Sequence, residues 1–297
     1  GRKLAEVFGK DLPEGKKIGE SWELSDLPDD KSVIVNGEFA GETISSVLDK
    51  YGQQITGKPD YSPPLPLLIK ILDARDVLSV QVHPDAETAE RMGKGDPKTE
   101  CWYIIDAEEG ACIYKGLKEG TTREQFAKAI ENGTCAELLE KVEVKTGECH
   151  FLPSGTAHAI GAGLLIAEIQ QPSDTTYRVF DWNRVDDEGN PRQLHVEEAL
   201  ESIHFDQSGD DLSVRSVGML VNTEFFNVHK GHMLKDGEML LTPGIMKVFM
   251  ILSGQGHIEG NEIETVEFTK GQTVLVPAAF EGVVHFTGET EYLTITL

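Results

Sequence analysis

Gly147-Glu148-Cys149-His150-Phe151-Leu152-Pro153-Ser154-Gly155-Thr156-Ala157-His158 is the stretch on which the reading of this chain turns. Cys149 to Leu152 has strand composition. Pro153 and Gly155 then turn the chain sharply, so that His158 is aimed back toward the mouth of a β unit. The same frame, glycine, five residues, proline, recurs at Gly271-Gln272-Thr273-Val274-Leu275-Val276-Pro277. A strand and a glycine turn precede each copy, Trp102 to Ile105 before Gly110 and Val248 to Leu252 before Gly254 and Gly256. The chain therefore reads as a diverged repeat of one β unit. Leu67 to Leu72, Val77 to His83 and Val274 to Val276 add to the rhythm of short strands between turns. The expected fold is mainly β, two similar antiparallel units of sandwich or barrel type, with a small helical insertion near 117–143 in the first.

Within that insertion, Thr122 to Lys141 carries apolar faces through Phe126, Ala129, Ile130, Leu138 and Leu139, and Asn132-Gly133 divides it into two helices. Gly41 to Lys50 and Val196 to Ser202 are shorter helix candidates. The polar run Asp206-Gln207-Ser208-Gly209-Asp210-Asp211 marks a linker, so the expected domains are 1–205 and 212–297.

Composition narrows the partners. Lys and Arg number 27 against 51 acidic residues, a formal charge of -24, which argues against binding a nucleic-acid backbone. Hydrophobic residues make up 39% of 297 positions and no apolar run is long enough to cross a bilayer. The opening residues do not look like a signal peptide, and a cytoplasmic location is expected. Cys101, Cys112, Cys135 and Cys149 lack CxxC spacing and read as reduced, structural thiols.

The chemistry-bearing residues cluster in the first copy. On a strand from Val77, period-two geometry puts Gln81 and His83 on one face and Leu78, Val80 and Val82 on the other. Glu100 opens the strand expected to run beside them, and His158 follows the proline turn. Two imidazoles, a carboxylate and an amide oxygen suit a divalent metal of borderline hardness and leave a position open, as a catalytic zinc requires. His83, Glu100 and His158 alone also match the count of a 2-His-1-carboxylate iron site.

The proline turn matches the second cupin motif without a gap. Together with Gln81-Val82-His83-Pro84-Asp85, Lys98-Thr99-Glu100-Cys101-Trp102-Tyr103 and Ser173-Asp174-Thr175-Thr176-Tyr177-Arg178, it resembles the type I mannose-6-phosphate isomerases, in their short form, over nearly the whole chain. The resemblance implies two cupin barrels with the active site in the first, one Zn2+ per chain on Gln81, His83, Glu100 and His158, and Arg178 as an active-site cation. It also implies the interconversion of mannose 6-phosphate and fructose 6-phosphate through an enediol-type intermediate.

Such a reaction needs a base, an electrophile and cations for an anionic hexose 6-phosphate. Lys70, Lys98 and Arg178 are the candidate cations. Glu168 shares a strand face with Gln170 and is the candidate base, with Asp174 a weaker one that could instead orient Arg178. In the second copy Gly282 stands where His158 does and Met246 is the approximate counterpart of Glu100. That domain is expected to be metal-free, with His257 and His285 as surface or packing residues. Other sugar-phosphate isomerases of the same barrel and a non-catalytic sugar-binding protein are the competing readings. Oligomeric state is not fixed by the sequence.

Overall fold

Gly147 and Gly271 both adopt left-handed φ, 92° and 86°, and each begins the same piece of architecture in a computed structural model that describes residues 1–185, 188–206, 214–261 and 264–297. A side chain strains such a backbone, which is why glycine marks both turns. The Gly147 N–H donates to the Ile104 carbonyl and the Gly271 N–H to the Ile251 carbonyl, each at 2.8 Å. In each copy the next strand, Cys149–Leu152 or Thr273–Val276, pairs antiparallel with the upstream one, Glu100–Ala107 or Lys247–Ser253. Each upstream strand also pairs with a later strand of its copy, Leu164–Gln170 or Thr290–Thr296, and slips register at matching places, Ile104/Asp106 and Ile251/Ser253. The mainly β expectation is met, and the repeat read from two glycines and two prolines is real in the backbone.

That register corrects one alignment. Glu100 pairs with Leu152, and Lys247 pairs with Val276, so the second copy places Lys247, not Met246, at the Glu100 position. Gly282 begins its strand where His158 begins the corresponding one. Gln81 pairs with His158, and Leu241 with Gly282, so the Gln81 position is apolar in the second copy.

The chain divides into two compact units, Leu72–Val214 and Gly1–Ile71 together with Arg215–Leu297. This differs from the expected 1–205 and 212–297, because the first 71 residues pack with the second copy. The Ala278 and Ala279 N–H groups donate to the carbonyls of Ile55 and Gln54 at 2.8 and 2.9 Å. Lys10 pairs with Glu23 at 2.7 Å and Thr273 Oγ1 donates to the same carboxylate at 3.1 Å. Sequence reading missed the Ala278 and Ala279 contacts because backbone donors leave no side-chain pattern. Of the expected linker, 207–211 lie outside the described residues.

In the Leu72–Val214 unit, a five-stranded sheet runs Tyr177–Phe180, Val80–Val82, His158–Ile160, Cys112–Leu117, Leu139–Glu143. Leu164–Gln170, Glu100–Ala107 and Cys149–Leu152 lie side by side in another. Trp102, Ile104, Ile113, Leu152, Ile160 and Ile166 form the core of this unit. The helix Arg123–Glu131 starts with a capping box between Thr122 and Gln125 and stops before Gly133, φ 69°. No second helix reaches Lys141. A short 3-10 turn, Cys135–Leu138, leads into the strand Leu139–Glu143, whose pairing with Cys112–Leu117 overrides the helical pattern. Val196–Ser202 is helical as expected, and the Gly41 to Lys50 helix forms instead at Ile44–Thr56, capped by the Thr43 side chain. All four cysteines are free and buried. Among the described residues no helix is long and apolar enough to cross a membrane.

In the other unit, Gly57 ends its helix at φ 76° with Gly244 O 2.3 Å from where a Cβ would sit. Gly57→Ala combines backbone strain with a clash and should cost about 2 kcal/mol. Urea unfolding should show a lower midpoint, and an unchanged midpoint would mean that this contact does not hold the helix to the sheet.

Candidate active site

Cross-strand register assembles the centre. Gln81 stands opposite His158 on one neighbour and opposite Arg178 on the other. On the facing strands Glu100 pairs with Gln170 and Trp102 with Glu168, so all four side chains share one face. His83, Glu100 and His158 are 2%, 0% and 2% exposed.

His83 Nδ1 lies 2.7 Å from the Thr175 carbonyl and His158 Nδ1 2.8 Å from that of Thr156. A carbonyl only accepts, so both Nδ1 atoms carry protons and both Nε2 atoms present lone pairs. Those lone pairs converge on one carboxylate. His83 Nε2 is 3.5 Å from Glu100 Oε2, and His158 Nε2 is 3.5 Å from Oε1. Glu100 Oε1 is fully buried and accepts no hydrogen bond. Gln81 Nε2 approaches His158 Nε2 at 3.3 Å, and rotation of the amide would present its oxygen there instead.

Burial, aided by the Lys98 charge, drives the His158 pKa down to about 4 against the hydrogen bond to Thr156, so the ring is neutral at physiological pH. Two imidazole lone pairs and a carboxylate within 4.8 Å of one another form a compact set of donor atoms for a cation. A divalent metal fits, with the Nδ1 contacts holding both rings in orientation.

Lys98 Nζ lies 2.9 Å from Glu100 Oε2 and is 4% exposed. Burial works against its charge, but the Glu100, Glu168 and Asp174 carboxylates prevail and hold its pKa above the ordinary lysine value. The same carboxylates favour its ammonium form. Glu168 is 5% exposed and takes a hydrogen bond from Trp102 Nε1 at 3.1 Å, and its charge is felt by both Lys98 and His158.

Arg178 donates from Nε to Ser79 Oγ at 3.0 Å, while Ser79 Oγ lies 3.3 Å from Gln81 Oε1, so the cation is tied to the ligand strand through a serine. Burial and the neighbouring Arg192 lower its pKa. Lys70 belongs to the unit that begins at Gly1, where its Nζ lies 3.7 Å from Glu20 and 4.1 Å above the Trp22 ring.

Comparison with known proteins decides the family. Residues 1–114 match the model of the phosphomannose isomerase type I catalytic domain. The chain is 39% identical over 291 residues to GmuF of Bacillus subtilis, described as a probable mannose-6-phosphate isomerase, covering 94% of this chain and 90% of that protein. The chain belongs to the mannose-6-phosphate isomerase family. A Streptococcus mutans mannose-6-phosphate isomerase is 37% identical over 300 residues, covering 99% of this chain and 92% of that protein. The crystal structure of mannose 6-phosphate isomerase from Bacillus subtilis superposes with a TM-score of 0.87 at 29% identity, over 100% of this chain and 95% of that one. Membership makes this chain an isomerase and sets aside the iron-oxygenase reading of the same residues.

Sequence reasoning missed Trp102, Ser79, Thr156 and Thr175. Trp102 was within reach, since it stands two residues after Glu100 and must share its face. Thr156 and Thr175 act through backbone carbonyls, which no residue type announces.

His158→Ala removes one lone pair from a preformed set, so bound metal should fall by about one equivalent from the wild-type content by elemental analysis while circular dichroism stays unchanged. Full metal occupancy in the variant would exclude His158 as a ligand. Trp102→Phe keeps the packing but removes the donor to Glu168, and should lower kcat roughly tenfold with little change in KM, on the scale of one hydrogen bond to a charged group. A shift in KM alone would place Trp102 in substrate binding instead.

Proposed function

We propose that the chain is a zinc-dependent aldose-ketose isomerase that interconverts mannose 6-phosphate and fructose 6-phosphate. The observation that carries the reading is the convergence of the His83 and His158 lone pairs on the two oxygens of the buried Glu100 carboxylate, in a chain whose relatives bear the name of that activity. Gln81, His83, Glu100 and His158 would hold the zinc, whose chemistry when bound is Lewis-acid polarisation of the sugar's oxygens. N and O donors with an open position favour zinc. We assign the catalytic metal to the Leu72–Val214 unit only, because Leu241, Lys247 and Gly282 stand at the Gln81, Glu100 and His158 positions of the other copy.

The protein's own groups account for the proton movement. Glu168 takes the proton from carbon 2 of the open-chain aldose and returns it to carbon 1, the work of one carboxylate on one face of an enediol-type intermediate. Its hydrogen bond from Trp102 fixes the carboxylate's direction. The Lys98 ammonium stabilises the negative oxygen as it develops, in a buried setting where a charge acts strongly. Arg178 supplies the cation that an anionic hexose 6-phosphate needs near a chain of charge -24. A cytoplasmic site of action suits both a phosphorylated substrate and four free thiols.

A coupled assay with mannose 6-phosphate should show turnover that a chelator abolishes and Zn2+ restores. Glu168→Gln should slow it by about a hundredfold or more, the scale of losing a general base. Turnover in heavy water should place deuterium on carbon 1 of the fructose 6-phosphate. Unlabelled product together with an unchanged rate in Glu168→Gln would remove Glu168 from the mechanism and point to a hydride shift.

A further inference from the structure

The four-stranded sheet of the unit containing Arg215–Leu297 runs Glu238–Leu241, Gly282–Phe286, Gln255–Gly260, Val266–Thr269. Its inner face is apolar, with Leu241, Ile258, Phe268, Val284 and Phe286 in the core. Strand alternation sends His257 and His285 to the outer face. Register then builds a row across all four strands, since Glu238 pairs with His285, His285 with His257 and His257 with Glu267. Glu259, two residues after His257, joins the same face.

The geometry of this row repeats that of the buried centre. His257 Nε2 lies 3.2 Å from Glu259 Oε1 and His285 Nε2 lies 3.6 Å from Glu259 Oε2, so two imidazoles again address the two oxygens of one carboxylate. The rings stack with centroids 4.9 Å apart and planes 24° apart, against 4.8 Å for His83 and His158. His285 Nδ1 faces Glu238 Oε1 at 3.2 Å. A carboxylate there accepts a hydrogen bond from Nδ1–H and holds the ring with Nε2 toward Glu259. An outer carboxylate on the far nitrogen is the usual support of a metal-bound histidine.

We propose that this outer face binds a divalent transition-metal ion, of the zinc, nickel or copper class, through His257, Glu259 and His285, with Glu238 orienting His285. The three ligand atoms lie within 4.8 Å of one another, and water completes the coordination on the solvent side. This site stands on residues separate from Gln81, His83, Glu100 and His158 and does not depend on the catalytic reading. It revises the expectation of a metal-free second copy, in which His257 and His285 stand as surface or packing residues. These ligands occupy the outer face of the sheet. A chain of charge -24 favours cation capture at such a place. His257 and His285 are about a quarter exposed, so the ion exchanges with solvent and binds more weakly than one in the buried centre. It joins two neighbouring strands through their side chains.

The test is calorimetric titration of the metal-stripped full chain with Zn2+, beside His285→Gln and His158→Ala. We expect two equivalents in the wild type. His285→Gln should lose the weaker one, its affinity falling at least tenfold, while isomerase turnover is kept, and His158→Ala should lose the tighter one. Glu259→Gln, at an exposed position, gives the same readout without touching the stacked rings. A single equivalent that disappears in His285→Gln and persists in His158→Ala supports this site and refutes the zinc reading of the buried centre. A single equivalent that disappears only in His158→Ala overturns the proposal, as do two equivalents retained in both His285→Gln and Glu259→Gln.

Discussion

One buried carboxylate organises the active centre. Glu100 is withdrawn from water, and a charge so placed is tolerable only when cations or polarised donors surround it. Lys98 meets one oxygen directly and two imidazoles address the pair, each oriented by a backbone carbonyl on its far side. The strands that carry these groups are fixed by ladder hydrogen bonds and an apolar core, so the cluster is held before any ligand arrives. The same low-polarity setting keeps His158 neutral and therefore able to donate its lone pair.

The two halves of the repeat separate scaffold from chemistry. Matching glycines, matching register slips and matching strand pairs show that the backbone solution has been kept in both. What differs is the inward set of side chains, where Leu241, Lys247 and Gly282 occupy places held by Gln81, Glu100 and His158. A sheet sandwich accepts such exchange because its stability comes from the apolar residues between the polar ones. A residue's role is thus set by which face of which strand it occupies, and neighbours along the chain take unrelated duties.

Much of the fold and the centre is legible in the sequence, for reasons tied to particular residues. The Gly147 to His158 spacing survives in sequence because its turn demands glycine and proline, and period-two alternation places Gln81 with His83 and Glu168 with Gln170. The strand Leu139–Glu143 reads as helix because tertiary pairing decides such a short segment. The Glu100 counterpart falls one residue off, since only cross-strand pairing fixes register. The boundary of the units is hidden because the contacts that draw Gly1–Ile71 to the second copy include main-chain donors.

That discontinuous unit bears on how the chain is made. Leu72–Val214 is one unbroken run and can complete its core while the ribosome is still translating the C-terminal residues. The segment Gly1–Ile71 emerges before it yet has its partners at Arg215–Leu297, which appear after it. During synthesis, the carbonyls of Ile55 and Gln54 gain the Ala278 and Ala279 donors only once that later segment has been made. The order of birth is therefore the reverse of the order of completion, and residues made early are among the last to find their place.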